Sequence, residues 1–388
     1  MRIRKAVKLR ACPTKQQLVS LAKHFGCARF IYNYFLGYKN KQYKDIGKSA
    51  SFAQMGRELT RLRATPEYCW LKEVSRQSST YALADLDSAF NNFFKRRTKY
   101  PRFKSKHRSR QSFTIGTPFC SIRADGIHLP LLGTIKCDIS SLPTSYKLDS
   151  ATVSTNPSGK IFVSLHIQTD IPNPIIDESK PVIGLDFGIK TFITTSDGIK
   201  YEHPKPFKKH HLKLAREQRR LAKKKIGSKR RQKQKLKTAL VWERISNIRQ
   251  DFLHKLSRKL VGENQAIYVE DLSLEGMKSR YGKSVNDLGW AEFVRQLGYK
   301  GTWYGCEIKK IDRFFPSSKT CSRCGWVKQN LSLSDRTWEC PICLTEHDRD
   351  TNAAINVLEY GRADRNLRTG REDRLLGELC SSKRASHL

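Results

Sequence analysis

Acidic residues are scarce in this sequence relative to basic ones. Its 388 residues include 36 Asp and Glu against 74 Lys and Arg, which gives a formal net charge of +38 at pH 7. A chain with this much charge of one sign repels itself unless a polyanion is bound. Nucleic acid is the partner that the charge favours, because basic side chains release the counterions condensed on its phosphates. An acidic membrane surface is the alternative.

Long apolar runs are absent as well. No stretch of the sequence approaches the roughly 18 to 20 apolar residues that a transmembrane helix needs. The first residues, Met1-Arg-Ile-Arg-Lys, alternate basic and apolar side chains and do not resemble a signal peptide. The sequence therefore predicts a cytoplasmic protein with no membrane partner.

The distribution of the 11 cysteines argues against a disulfide framework. Two close pairs, Cys321-x-x-Cys324 and Cys340-x-x-Cys343, are separated by fifteen residues, and such pairs can surround one tetrahedral Zn²⁺ as a zinc ribbon. Four protein ligands leave no open position on the metal, so the predicted zinc site is structural. The other seven cysteines are scattered, as is typical of reduced thiols in a cytosolic protein: Cys12, Cys27, Cys69, Cys120, Cys137, Cys306 and Cys380.

Apolar periodicity predicts a β-domain with a helical insertion over residues 1–170. Residues 2–10 alternate basic and apolar side chains, as a half-buried strand does. Short apolar runs between Gly, Pro and Ser predict antiparallel strands within residues 112–168. If strand 2–10 joins these strands, the first half contains a small β-domain. The insertion, at about 14–100, has helical spacing of its apolar residues: from Pro13-Thr14 to about Lys41, over 52–64 and over 71–97.

After a Pro-rich linker at residues 171–180 the pattern changes to α/β. The predicted α/β domain comprises residues 181–315 and 348–360, and the zinc ribbon, residues 316–347, interrupts it. Residues 361–388 show little apolar periodicity and are predicted to be disordered. The predicted elements of the domain are a hairpin, two basic helices that break near residues 226–228, two strands and a last helix: 182–187 with 190–195, 207–260, 265–270, 305–312 and 351–360.

Three acidic residues at the edges of apolar runs form the candidate catalytic site. Asp186 lies on the first predicted strand of the α/β domain, Glu270 ends a later strand, and Asp350 begins the last helix. Carboxylates that converge from separate elements can bind the two Mg²⁺ ions, about 4 Å apart, of a two-metal nuclease. The order Asp, Glu, Asp on strand, strand and helix is the RNase H-like arrangement. The sequence therefore predicts a nuclease that depends on Mg²⁺, or on Mn²⁺ in its place.

Each of these acids also has a structural interpretation. Asp186 lies next to a turn, Glu270 could be a solvated strand end, and Asp350 is expected as the N-cap of the last helix. Their combination in a chain of this charge favours the metal site. Two alternatives stay open: Asp271 for Glu270, although it points to the opposite face of a regular strand, and Asp348 for Asp350.

Runs of basic residues between 205 and 259 are predicted to contact phosphates. They share helices with an apolar stripe and have few acids to pair with. The segment 93–106 mixes aromatic and basic side chains, as nucleic-acid grooves do, although its aromatic residues could equally belong to a core. The predicted nucleic-acid contacts are Gln77, Lys104, Lys190, Arg219, Arg220, Arg230 and Arg249.

Taken as a set, the motifs resemble those of the TnpB (OrfB) proteins of bacterial insertion sequences, which are similar to ancestors of type V CRISPR effectors. The resemblance covers residues 1 to about 360 and is more specific in the second half. It rests on the basic helix pair, the four-Cys ribbon and three runs of sequence: Gly-Leu-Asp-Phe-Gly-Ile-Lys, Val-Glu-Asp-Leu and Asp-Arg-Asp-Thr-Asn-Ala-Ala-Ile-Asn.

This resemblance implies an RNA-guided endonuclease for double-stranded DNA, encoded by a transposon and found in the cytoplasm and nucleoid of a bacterium or archaeon. A guide RNA from the transposon end would pair with the target, while the protein reads a short transposon-adjacent motif. The N-terminal β-barrel (WED) and its helical insertion (REC) would hold the heteroduplex. One RuvC-like site would cut both strands, with Asp186, Glu270 and Asp350 on two Mg²⁺ ions. One Zn²⁺ would occupy the ribbon, and a monomer would bind one RNA.

Other functions fit only parts of the sequence. A nuclease-silent RNA-guided repressor would be expected to have lost acids that this chain retains. A strand-transferring RNase H-like transposase typically has Glu as its third acid, where this chain has Asp350. Single-strand relay transposases need a His-x-His motif, which none of the ten histidines forms. A plain zinc-ribbon nucleic-acid-binding protein leaves the strands of Asp186 and Glu270 unexplained.

Overall fold

The computed structural model describes residues 1–271, 282, 285–332 and 334–369. The chain forms two compact units, of which the first spans Met1–Pro172 and the second begins at Asn173. Within the described residues, no helix is both long enough and apolar enough to span a bilayer.

The first unit contains a seven-stranded antiparallel sheet. Strand β1 pairs with β7 from Arg2 to Ala11, so the N-terminal strand does join the strands of residues 112–168, as predicted. The described strands are ordered β2-β6-β7-β1-β5-β4-β3, and because β2 and β3 pair on one side only, the sheet is a curled half-barrel and not a closed barrel. The strands are β1 Arg2–Cys12, β2 Gln111–Gly116, β3 Ser121–Arg123, β4 Gly126–Leu129, β5 Gly133–Cys137, β6 Lys147–Thr155 and β7 Ile161–Asp170.

Helices between β1 and β2 cover the apolar face of this sheet. Helix α1 spans Lys15–Ile46 and begins with a capping box between Thr14 and Gln17. It runs five residues past the predicted end, because Gly47 is the first residue to adopt the left-handed conformation that ends helices. Helix α2 spans Phe52–Ala64, as predicted.

The prediction of one helix over 71–97 was wrong. A 3₁₀ helix spans Pro66–Glu73, and α3 spans Arg76–Phe94. Val74, between them, has an extended backbone that interrupts the helix.

A five-stranded sheet organises the second unit. Strands β8, β11 and β12 are parallel, and β9 pairs antiparallel with β8 as the predicted hairpin. The hairpin connection is longer than predicted, because β9 begins at Ile193 and not at residue 190. The order is β10-β9-β8-β11-β12, and the strands are β8 Val182–Phe187, β9 Ile193–Thr195, β10 Lys200–Tyr201, β11 Ala266–Glu270 and β12 Glu307–Ile311.

Long helices accompany this sheet in the described part of the second unit. The basic segment forms two helices that break between Ala222 and Lys229, as predicted around residues 226–228. The last helix runs to Thr369, beyond the predicted end at 360, so the segment predicted to be disordered begins as helix; residues 370–388 lie outside the described part of the chain. The helices are α4 Pro206–Ala222, α5 Lys229–Glu263, α6 Trp290–Tyr304 and α7 Arg349–Thr369.

A small two-stranded module lies between β12 and α7 in the chain. Strands β13 (Thr337–Glu339) and β14 (Glu346–Asp348) pair antiparallel. Its buried cluster consists of Cys321, Trp338 and Cys340. A cluster this small has little hydrophobic area, so a bound metal is the expected source of its stability.

Candidate functional site

The two faces of strand β8 have different neighbours. Ile183, Leu185 and Phe187 share a buried cluster with residues of α5 and α6. The residues between them point the other way, and at Gly184 a Cβ atom would collide with the backbone of α7 at Ala354. Asp186, two residues further along, is therefore directed to the α7 side of the sheet.

Strand β11 repeats this arrangement. Tyr268 is buried with Val357 and Leu358 of α7, so Glu270, two positions later, also lies on the α7 side. The parallel register pairs Val269 with Leu185, which places Glu270 opposite Asp186 at the carboxyl end of both strands.

Asp350 completes the site from the first turn of α7. Burial and the nearby charges of Glu270 and Asp350 raise the pKa of Asp186 well above its usual range. Burial also raises the pKa of Glu270, although a hydrogen bond from the Ser317 hydroxyl opposes the shift. Arg336 lies 3.6 Å from Asp350. Carboxylates gathered in this way from two strands and a helix are a donor set that suits a hard divalent cation.

The neighbouring acids have other partners. Asp271 accepts charged hydrogen bonds from Lys310 at 2.9 Å and Arg313 at 2.6 Å. Asp348 accepts the Thr351 backbone N–H at 3.0 Å and pairs with Lys200 at 2.8 Å.

The expectation that Asp350 is the N-cap is therefore wrong. Helix α7 begins at Arg349, so Asp348 is the cap and Asp350 is the second residue of the helix. The capping requirement is met without Asp350, whose charge acts on Asp186 instead.

The four ribbon cysteines form a second candidate metal centre. Their sulfur atoms all lie within 4.8 Å of one another, with Cys321 3.6 Å from Cys343 and Cys324 3.5 Å from Cys340. Thiolates about 2.3 Å from one tetrahedral Zn²⁺ lie about 3.8 Å apart, so the cluster fits zinc. Among the described residues no other group of three or more His, Cys, Asp or Glu is gathered this closely; the three carboxylates are spaced more widely.

Both cysteine turns end in a left-handed residue. Gly325, after the first pair, has φ 79°, and Leu344, after the second, has φ 55°. Their backbone N–H groups donate to the carbonyl oxygens of Cys321, at 2.9 Å, and Cys340, at 2.8 Å. The turns are thus equivalent, but the second places a side chain where glycine is favoured.

Comparison with known proteins places the chain in a family. A sequence profile of the OrfB family, described as "Probable transposase", matches residues 166–280, and one described as "Cas12f1-like, TNB domain" matches residues 290–357. A protein of Streptomyces pristinaespiralis named "Putative RNA-guided DNA endonuclease" is 38% identical over 368 residues, which cover 93% of this chain and 90% of that protein. The chain belongs to the TnpB (OrfB) family.

Two further comparisons extend across the whole chain. "Putative RNA-guided DNA endonuclease InsQ" of Escherichia coli (strain K12) is 30% identical over 379 residues, 92% of each chain. The fold is similar to that of a chain in a Cas12f1–sgRNA–target DNA complex, with a TM-score of 0.51 at 14% identity over 92% of this chain and 98% of that one. Residues 1–48 match a profile described as "Helix-turn-helix domain", but in this TnpB-family chain they form one strand and one helix.

The ribbon of this TnpB-family protein is fastened to the helix that carries Asp350. Asn352 accepts the Ser322 N–H at 2.9 Å and donates to the Thr320 carbonyl at 2.7 Å. Asn356, one turn later, donates to the carbonyls of Ser317 at 2.8 Å and Thr320 at 2.6 Å. Neither asparagine was predicted to have a role, although both lie in the Asp350 motif. Two amide side chains one helical turn apart could have indicated a shared contact.

Two of the predicted nucleic-acid contacts have structural environments instead. The ammonium group of Lys104 lies 3.8 Å from the Tyr32 ring centre, and burial lowers its pKa. Arg249 is half-buried and paired with Asp287 at 2.9 Å. These contacts favour roles in packing over the phosphate contacts that were predicted, because both cations already have partners inside the fold.

The remaining predicted contacts are more accessible. Lys190, Arg219, Arg220 and Arg230 are exposed, and Gln77 is half-buried. Arg220 also pairs with the buried Glu217 at 3.1 Å. The exposed cations on α4 and α5 remain predicted phosphate contacts.

Proposed function

We propose that the protein is an RNA-guided endonuclease that cuts double-stranded DNA. The observation that carries the proposal is the convergence of Asp186, Glu270 and Asp350 from two strands and a helix, in a chain of net charge +38. The names of the two relatives and the Cas12f1-like fold support it.

In the proposed site each carboxylate has a defined task. A pair of Mg²⁺ ions, when bound, supplies an activated water and stabilises the leaving oxygen. Asp186 lies near the charges of both Glu270 and Asp350, and the three carboxylates together would hold the ions. The Ser317 hydroxyl orients Glu270, and the first turn of α7 fixes Asp350. Arg336, 3.6 Å from Asp350, limits the repulsion among the carboxylates before the metal enters.

The rest of the chain would hold the nucleic acids. Pairing between the guide RNA and the target strand would supply sequence specificity, and the protein would recognise heteroduplex geometry and a transposon-adjacent motif. The half-barrel unit and the exposed cations of α4 and α5 are proposed to bind the RNA and the heteroduplex, with one chain per RNA. The four ribbon cysteines would hold one structural Zn²⁺.

The test is guided cleavage of plasmid DNA. The chain is co-expressed with RNA from its transposon end, and the purified particle is incubated with Mg²⁺ and plasmids that carry the matching target beside a randomised flank. We expect cutting that requires the RNA and disappears in Asp186→Ala. Asp251→Ala is the matched control, because Asp251 is an exposed acid that pairs with Lys255 along the same helix.

Other outcomes would redirect the proposal. Guide-dependent binding without cutting by the wild-type particle would indicate a nuclease-silent DNA-binding protein. Failure of RNA to co-purify with the chain would overturn the guided mechanism altogether.

A further inference from the structure

An exposed phenyl ring lies beside the carboxyl edge of the second sheet. Phe314 is 88% exposed, and it lines an open cavity of about 590 Å³ together with Asp271, Lys310, Ile311, Asp312 and Arg313. Single exposed apolar residues are common on protein surfaces and need no explanation by themselves. Three features of its surroundings set Phe314 apart.

The first feature is position. Strand β12 ends at Ile311, whose register partner on β11 is Glu270. Phe314 follows three residues later. Ser317, three residues after Phe314, donates a hydrogen bond to the Glu270 carboxylate. Phe314 therefore lies in the short loop between the end of β12 and the residue that hydrogen-bonds a proposed catalytic acid.

The second feature is a fixed backbone. The Phe314 N–H donates to the Asp312 carboxylate at 2.8 Å. Arg313 anchors the loop to the end of β11, through the Asp271 carboxylate at 2.6 Å and its carbonyl at 3.0 Å. Phe315 packs on Tyr360 of α7 with ring centres 4.5 Å apart. Because Phe315 turns inward, Phe314 is held outward.

The third feature is charge. Lys310 and Arg313 line the cavity with the ring and both pair with Asp271, while Asp312 adds a second carboxylate, so charged hydrogen-bond donors lie beside the aromatic face without a net positive charge. An aromatic face beside basic side chains is an arrangement that binds unpaired bases, because every base has a face that can stack and every nucleotide carries a phosphate. Because the backbone beneath the ring is already held, stacking would need to order little more than the side chain itself.

We propose that Phe314 stacks on an unpaired base of the DNA strand that is being cut and so positions that strand over the carboxylates. The inference rests on the proposed nuclease function. A strand must be unpaired to enter a site enclosed by a sheet edge and a helix, and a stacked base beside the site fixes which phosphate reaches the metals. Phe314 is a positioning residue and takes no part in bond breaking.

The test compares Phe314→Ala, Phe314→Trp and the control Tyr304→Ala, which truncates an exposed aromatic residue at the end of α6. Guided cleavage is measured at several target concentrations. Loss of one stacked base is expected to lower kcat/KM about tenfold or more in Phe314→Ala. Phe314→Trp should restore it, and Tyr304→Ala should leave it unchanged. Wild-type rates in Phe314→Ala would overturn the inference and leave the nuclease function standing.

A second measurement does not depend on cleavage. Single-stranded oligonucleotides that carry the fluorescent base 2-aminopurine are bound to the RNA-loaded particle without Mg²⁺. Stacking on Phe314 is expected to quench the fluorescence, and Phe314→Ala should remove that quenching while Tyr304→Ala retains it. Equal fluorescence in the wild-type and Phe314→Ala particles would refute stacking, whether or not the wild-type particle cuts DNA. Failure of the wild-type particle to cut would refute the nuclease function separately.

Discussion

At the scale of single residues, the site depends on which of two adjacent acids faces the metal. Asp348 and Asp350 lie two positions apart, yet the first caps α7 and pairs with Lys200, whereas the second faces Asp186. Burial raises the pKa of Asp348, but hydrogen bonds from Lys200 and Thr351 outweigh it, so its pKa is lowered. Asp348 is thus an ionised cap at neutral pH.

We therefore expect opposite effects from two matched substitutions. Asp350→Asn should abolish guided cleavage with little change in the free energy of unfolding. Asp348→Asn should retain most cleavage and lower stability by about 1 kcal/mol or less, because Asn still caps a helix but no longer pairs with Lys200. Cleavage rates and chemical denaturation of both variants decide between them. A cleavage-dead Asp348→Asn with an active Asp350→Asn would exchange the two assignments.

A second residue-scale prediction concerns the ribbon. Leu344 adopts φ 55° and is 72% exposed, so its side chain contributes strain with little burial in return. Leu344→Gly should stabilise the ribbon by about 1 kcal/mol. We expect slower zinc release to a chelator, followed with a zinc-sensitive dye.

Ile342→Gly is the control for that substitution. Ile342 is also exposed in the ribbon but is absent from the residues with positive φ. Adding glycine there should leave zinc release unchanged or faster. Faster release from Leu344→Gly than from the wild-type protein would contradict the strain argument.

At the scale of elements, the site requires α7 to lie directly against β8. Gly184 permits this approach, and Gly361 does the same at the ring of Tyr268. Gly184→Ala should lower the free energy of unfolding by about 1 to 3 kcal/mol, because the added methyl group forces α7 away. Cleavage should fall with it, since Asp350 moves with the helix. Denaturation and cleavage assays measure the two effects.

Gly298→Ala serves as the matched control. Gly298 lies inside α6, where an added Cβ would meet no atom within 4 Å. Replacement of a glycine in a helix interior should stabilise the protein by about 0.5 to 1 kcal/mol. Equal stabilities of the two variants would show that α7 is not seated through Gly184.

Elements with strong periodicity were predicted from the sequence, and those set by local backbone detail were not. The alternation of basic and apolar residues correctly predicted the strand β1, and the apolar stripe correctly predicted the helix α5. The 3₁₀ helix at Pro66–Glu73 and the cap at Asp348 depend on a few dihedral angles that periodicity does not encode. The contacts of Asn352 and Asn356 were not predicted, because a polar residue on a helix is usually taken to be solvent-exposed. Only the folded structure shows that the ribbon packs against this part of α7.

At the scale of the whole molecule, the net charge of +38 governs binding of nucleic acid. Affinity for RNA should fall by roughly 10³-fold or more between about 50 and 200 mM salt, because each phosphate contact releases counterions. Arg219→Ala with Arg230→Ala should reduce the slope of log affinity against log salt by about 0.7 for each residue that contacts phosphate. Titrations at several salt concentrations give the slope.

Arg295→Ala is the control for that titration. Arg295, on α6, is exposed but paired with Glu292 at 2.7 Å, so its charge is already partly compensated. Its slope should match that of the wild-type chain. An unchanged slope in the Arg219 and Arg230 double variant would show that the exposed face of α4 and α5 is not part of the RNA-binding surface.

The attachment of the ribbon to α7 also bears on how such proteins diversify. The chain leaves the nuclease fold at Ser317 and Thr320, and it returns at Asp348 to the same helix whose asparagines hold those two carbonyls. The points at which the chain enters and leaves the ribbon therefore lie next to each other. Evolution can lengthen, shorten or exchange the intervening module without moving the acids, so this position is a natural graft point for new recognition domains in descendants and in engineered variants.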